Sequence, residues 1–274
     1  LPTNVPETEP LLPLAPRPLG EFARQQALSC LFPMAIFASL ALSKAAVFPP
    51  WLPRYDLLLA LCLGFQWGMY RAGLETRDEI KVVSVFHLLG LGLEVFKTRA
   101  GSWSYPEFGY FSVAGVPLYA GFMHASVASY FCQVWRRFDL TLVGMPPARV
   151  SAPLAAAIYA NFFTHHLPGV PDLRWPLSLL VCAVYRRAWA RYRVLGRWYR
   201  MPLAAGFALV GLFVYVAENV CTFFDAWRYP NQAHGWQPVH ASRISSWALL
   251  VVLSFLLVAA LKEVKGRRGE TRAG

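Results

Sequence analysis

Residues 94–106 read EVFKTRAGSWSYP, and residues 218–230 read ENVCTFFDAWRYP. Five positions agree at a constant offset of 124: Glu94/Glu218, Thr98/Thr222, Trp103/Trp227, Tyr105/Tyr229 and Pro106/Pro230. Two of the five are Trp and Tyr, residues too uncommon for chance to be a good explanation. His-Ala-Ser recurs as well, at 124–126 and 240–242, with the shorter offset of 116. The chain reads as internally duplicated, with one carboxylic acid per copy near the end of an apolar run.

Those runs set the class. Apolar residues make up 56% of 274, charged residues 15%, and mean hydropathy is +0.38. Soluble domains carry about 25% charged residues, and a membrane-crossing helix needs roughly 20 mostly apolar ones. Backbone polar groups in lipid must be satisfied within a helix or a closed barrel. The runs are continuous rather than alternating, which selects helices. The expectation is an all-α, polytopic transmembrane bundle of about eight helices, over 27–48, 55–70, 80–96, 116–135, 152–167, 175–189, 202–224 and 242–261. Residues 1–23 read as a Pro-rich cytoplasmic tail, 24–264 as one transmembrane domain and 265–274 as a basic tail.

A net charge of +11 would suit nucleic acid, but the basic residues lie between apolar runs, where they set topology. No base-reading motif accompanies them, so no nucleic-acid partner is expected. With both termini cytoplasmic, nineteen of the 26 Lys and Arg fall inside and six outside, and Lys44 lies within the first helix. This places the chain as a multi-pass membrane protein. Helices three and four then match seven and eight in the same orientation. The result is a parallel repeat over about 80–135 and 202–262, related by a pseudo-twofold axis along the membrane normal. The five cysteines lie in apolar runs without a CxxC pair and read as packing residues.

Glu94 and Glu218 are the candidate acid/base pair. A carboxylate in the apolar region is costly, so such residues face protein or water and have a role. Two carboxyls near a common axis do not both ionise easily, and the protonated one is a proton donor. A second role is open to each: bonding the loop that follows and stapling the helix end. Trp103, Tyr105, Glu107, Asn161, His165, His166, Asp225, Trp227, Tyr229 and His234 gather on the outer side as pocket or loop residues. His124 and His240 occupy related repeat positions. Neither HxxxH nor HExxH occurs, and adjacent histidines point to different helix faces, so no metal and no cofactor is expected.

GSWSYPEFGYFSVAGVPLYAGFM, ASYFCQVWRRFD, NFFTHH and RYPNQAHGWQPVH resemble a bacterial integral membrane family known as domain of unknown function 817, the YoaT-like proteins, over about residues 24–264. The resemblance implies the fold and a multi-pass location in the bacterial cytoplasmic (inner) membrane. Glu94, Gly101-x-Trp103-x-Tyr105 and Val116-Pro117-Leu118 resemble a pattern in membrane carotenoid cyclase and hydratase-like families, over about 25 residues. That resemblance implies acid–base chemistry on long polyenes without a redox cofactor.

Three functions stay open on these readings. One is a membrane-embedded acid/base enzyme or binder for an isoprenoid-like or other lipid, with an outward pocket and cation–π stabilisation of a developing carbocation by the Trp/Tyr pairs. The others are a proton-coupled transporter, and an accessory subunit of a membrane complex whose basic inner face meets anionic lipid or an acidic partner.

Overall fold

The computed structural model describes residues 9–45, 48–49, 51–165 and 169–273. The chain is predominantly helical: α1 (Pro16–Ser29), α2 (Leu31–Ala45), α3 (Arg54–Arg71), α4 (Arg77–Arg99), α5 (Ala120–Arg137), α6 (Ala148–Thr164), α7 (Arg174–Val184), α8 (Leu203–Phe223) and α9 (Arg243–Ala273). A helix lies at each of the eight expected positions. Among the described residues, two are long and apolar enough to cross a membrane, Leu203–Phe223 and Arg243–Ala260, and the pair α1–α2 makes a third if counted as one broken span. At 1.5 Å per residue, the 11 residues of α7 reach only about 16 Å. The first and last turns of α4 carry Asp78, Glu79, Lys97 and Arg99.

Three expectations are corrected. The first helix does not run unbroken over 27–48, because α1 and α2 meet at a 63° bend. Pro33 explains the break: it has no N–H, and its ring would collide with the carbonyl of Ser29, so Pro33 sits in the first turn of a new helix. The Pro-rich tail expected over 1–23 is helical from Pro16, where α1 begins. The Arg191 side chain bonds Glu9, and the Pro10 carbonyl accepts from the Arg200 N–H (3.0 Å). Nor is the fold all-α. β3 (Thr141–Val143), β4 (Trp189–Val194) and β5 (Arg197–Pro202) form an antiparallel sheet in the order β3-β4-β5, and β1 (Ser112–Val113) pairs with β2 (Val116–Pro117). The sixth helix therefore stops at Val184. Beyond it, arginines alternate with aromatic and β-branched residues, a pattern of period two that suits a pleated strand.

The chain divides into two compact units. One comprises Leu1–Phe22, Val134–Leu212 and Ser245–Gly274. Here Tyr192 of the sheet meets Phe22 and Phe138, α6 packs on α7, and Phe207 of α8 meets Phe255 of α9. The other comprises Ala23–Gln133 and Phe213–Ile244, and holds α2 against α3 around Phe32, Ile36, Leu40, Tyr55 and Leu58. Small buried residues on α5 (Gly121, Ala125, Ala128, Ser129) permit close helix approach in this second unit.

Candidate functional site

α4 is built to end where Glu94 is needed. At its start Thr76 and Glu79 form a capping box: the Glu79 N–H donates to Thr76 Oγ1 (3.3 Å) and the Thr76 N–H to Glu79 Oε2 (2.8 Å). At its end Gly101 takes the left-handed conformation (φ 71°), with its N–H on the Thr98 carbonyl (3.1 Å) and the Ser102 N–H on that of Lys97 (3.0 Å). The reversal carries Trp103 and Tyr105 back beside the helix. Trp103 Nε1 and the Tyr105 hydroxyl both donate to Glu94 Oε2 at 2.7 Å, while His124 Nε2 of α5 lies 2.8 Å from Oε1. Both side chains of the His124–Glu94 contact are largely buried, 11% and 10% exposed.

The end of α8 repeats this backbone geometry at the same offset of 124. Asp225 takes the left-handed place of Gly101 (φ 54°). The Asp225 N–H donates to the Thr222 carbonyl (3.1 Å) and the Ala226 N–H to that of Cys221 (3.0 Å). The Tyr229 hydroxyl donates to Glu218, as Tyr105 does to Glu94. The two loops then join through equivalent residues. Ser104 N–H donates to the Arg228 carbonyl (2.9 Å) and Arg228 N–H to the Ser104 carbonyl (2.8 Å). The Trp103 ring meets the Tyr229 ring edge to face, centroids 5.8 Å apart. An unbroken file of contacts thus runs Glu94–Trp103–Tyr229–Glu218.

Burial, and then the adjacent Glu94, pushes the Tyr105 hydroxyl well above the usual phenol range. Burial, then Glu218, does the same to Tyr229. Both stay protonated at any physiological pH and remain donors to the glutamates.

Glu107 and Asp225 belong to a separate ionic knot in the same unit. Arg54, buried at 7% exposure, donates from Nη1 to Glu107 (2.7 Å), from Nε to Ser43 Oγ (3.0 Å) and from Nη2 to the Phe224 and Leu40 carbonyls (2.6 and 3.3 Å). Asp225 receives Lys44 and, at 2.7 Å, Arg228 Nε. Burial alone would raise Asp225, but hydrogen bonds from Arg228 and Lys44 outweigh it and hold the carboxyl below its usual range. Its share of stability is present above the unfolded carboxyl's pKa and is lost as pH falls through the lower folded value.

Other expected site residues lie elsewhere. Asn161 and His165 belong to the first unit, where Asn161 Oδ1 accepts the Leu173 N–H (3.0 Å) and His165 Nδ1 lies 2.5 Å from the Asn161 carbonyl oxygen. His166 lies outside the described residues. His234 is exposed, and His240 bonds Ser242 (2.8 Å), so His240 does not share the setting of His124, to which its expected repeat position related it. Trp227 is half-buried, and the indole that meets Tyr229 is that of Trp103. Among the described residues no three His, Cys, Asp or Glu side chains converge as metal ligands.

Sequence reading passed over Arg54, Asp56 and His87. Asp56 accepts the N–H groups of Tyr110 and Phe111 (2.9 and 3.0 Å), fixing the loop after Tyr105. His87 and His124 are seated reciprocally: a Cβ on Gly90 would lie 2.5 Å from the His124 ring, and a Cβ on Gly121 would lie 2.7 Å from His87 Nδ1 and from its carbonyl oxygen. The signal was HLLG at 87–90 against GFMH at 121–124, each histidine three residues from a glycine. Gly90→Ala is expected to displace His124 and destabilise by about 1–3 kcal/mol. Gly92→Ala meets nothing within 4 Å and is expected to stabilise by about 0.5–1 kcal/mol through helix propensity. Thermal unfolding of the two purified variants checks the opposite signs.

A family described as protein of unknown function (DUF817) matches residues 18–255. The chain belongs to the DUF817 family. Among its relatives, the uncharacterized protein YoaT of Bacillus subtilis (strain 168) is 58% identical over 245 residues, covering 89% of this chain and 91% of YoaT. No solved structure matches. DUF817 membership rests on nearly the whole chain, including both glutamate loops, α5 and the β4–β5 hairpin.

Proposed function

We propose that this chain is a multi-pass inner-membrane protein that binds or transforms an apolar, lipid-like ligand by proton transfer at the Glu94–His124 pair. The observation that carries the reading is the 2.8 Å contact between two largely buried titratable groups, with the other carboxylate oxygen held by Trp103 and Tyr105. A carboxylate bonded only to Trp and Tyr is a staple. One that also meets an imidazole forms a pair in which the shared proton has two seats, and such a pair can accept or deliver it. Glu218 and Tyr229 form the companion, joined through Trp103. The matched turns, the matched Tyr–Glu bonds and the reciprocal bridge between Ser104 and Arg228 support an internal duplication with a local twofold relation. Membrane placement is supported by the two or three sufficient spans and by the segregation of basic residues between apolar runs.

The test is purification of the wild type, Glu94→Gln and His124→Gln from membranes, with mass spectrometry of co-purifying apolar compounds and thermal unfolding of each protein. The expected result is a bound or altered lipid in the wild type that is lost from both variants while they remain folded. Folded variants with an unchanged lipid complement would overturn the proposal in favour of stapling. Proton flux in proteoliposomes that depends on Glu94 would replace it with a transporter.

A further inference from the structure

Between residues 186 and 202 the chain carries six arginines and no acid. The β4–β5 register gives these residues two faces. Tyr192, Val194 and Tyr199 turn inward and are buried, Tyr192 against Phe22 and Phe138. Trp189, Arg191 and Arg193 share the other face with Trp198 and Arg200. There Arg191 lies over Trp198 at 4.9 Å and Arg200 over Trp189 at 4.8 Å. Glu9 bonds Arg191, and Asp139 lies 3.7 Å from Arg193. Arg186, Arg187, Arg193 and Arg197 are exposed.

The hairpin tip is unusual. Leu195 and Gly196 have φ of 49° and 79°, the two positive values of a type I′ turn. Leucine is a poor residue for that conformation, for which Asn or Gly is favoured, and this leucine is 54% exposed. An apolar side chain is thus displayed between two exposed arginines. Directly after Pro202, the last residue of β5, the chain enters the candidate span Leu203–Phe223.

We infer that this hairpin docks on the anionic phospholipid headgroups of the leaflet at which α8 begins. The exposed guanidiniums take lipid phosphates in forked hydrogen bonds. The two tryptophans lie at headgroup depth, the level their amphipathic rings prefer. Leu195 enters the acyl boundary. The inference rests on α8 being a membrane span.

The test uses the full chain carrying Leu195→Cys, labelled with a polarity-sensitive fluorophore and reconstituted into nanodiscs. One set is phosphatidylcholine alone; the other contains phosphatidylglycerol. The expected result is a blue-shifted probe in the anionic discs only, reversed by high salt, with inorganic phosphate added to the neutral discs giving no shift. Arg193→Gln with Arg197→Gln should weaken the lipid response at least about fivefold, and Arg186→Gln with Arg187→Gln should do so independently. Equal emission in both discs, a response to free phosphate, or a response unchanged in the two double variants would overturn the docking while leaving the span intact. Failure of the chain to enter neutral discs would overturn the span itself, and the docking with it.

Discussion

Arg54→Met is expected to cost about 3–5 kcal/mol, the range for stripping one partner from a buried charged network. Arg54 is 7% exposed, and its guanidinium sits where two helices end. It donates to the Leu40 carbonyl in the last turns of α2 and to the Phe224 carbonyl just beyond α8, so it meets the negative ends of two helix dipoles together with the Glu107 carboxylate. Methionine fills the volume but removes the donor to Glu107 and to the Phe224 carbonyl, while the Leu40 carbonyl keeps only Ser43 Oγ (3.1 Å) as a side-chain donor. Water can return to Glu107, whose side chain is 34% exposed; the loss is therefore concentrated on the Phe224 carbonyl and on Ser43 Oγ, which loses its Arg54 donor. Arg54→Lys keeps the charge and cannot reproduce the fork, so it is expected to recover only part of the loss. Thermal unfolding in detergent should show a midpoint lowered by about 10 °C for methionine, at roughly 2–4 °C per kcal/mol. A midpoint within 2 °C of wild type, given about that slope, would refute the role assigned to Arg54.

The second large effect is at Glu94. Glu94→Leu removes the acceptor of the Trp103 N–H and the Tyr105 O–H and the partner of His124. Each buried donor left unmatched costs about 1–3 kcal/mol, and some of that is recovered by relaxation, so a total of about 3–5 kcal/mol is expected. Glu94→Gln retains one oxygen for the two aromatic donors and presents an amide to His124. It should cost no more than about 1–2 kcal/mol, half or less of the leucine value. The comparison separates support from chemistry: glutamine preserves the loop and removes the titratable carboxyl. Glu218→Leu against Glu218→Gln should repeat the ordering, with the Tyr229 donor in place of Tyr105. Tryptophan fluorescence, sensitive to Trp103, and thermal unfolding check both pairs.

Much of the helical layout was legible because apolar runs bounded by Pro and basic residues announce themselves. α3 and α8 begin and end within a few residues of their expected limits. Glu94, Trp103 and Tyr105 were legible as a unit because a repeated motif marks spacing, and spacing on a helix followed by a fixed turn determines reach. The sheet was not, because Arg186 to Arg200 was read for its charge; its period-two alternation and the Leu195-Gly196 turn carried the strand signal. β1–β2 hid in the same way, since Ala114-Gly115 is a two-residue turn whose first member is not a usual left-handed residue (φ 52° and 79°). Arg54 was invisible for a different reason. In sequence it is one basic residue in a short connection between apolar runs. Its burial depends on carbonyls 14, 170 and 171 residues away. The seating of His124 over Gly90 likewise depends on how two helices meet.

The bridge between Ser104 and Arg228 also imposes an order on biosynthesis. Its two strands are 124 residues apart, and the second is made only after α8 is complete. Until then the nascent chain holds Trp103 without its Tyr229 neighbour and Arg54 without the Phe224 carbonyl. A chain that ends before residue 224 lacks the Phe224 acceptor and the Ser104–Arg228 bridge, while the bonds of Arg54 to Glu107 and Ser43 and of Glu94 to Trp103 and Tyr105 lie wholly within its earlier residues. Closure of the second unit is therefore a late event in synthesis, one that every chain truncated before residue 224 lacks.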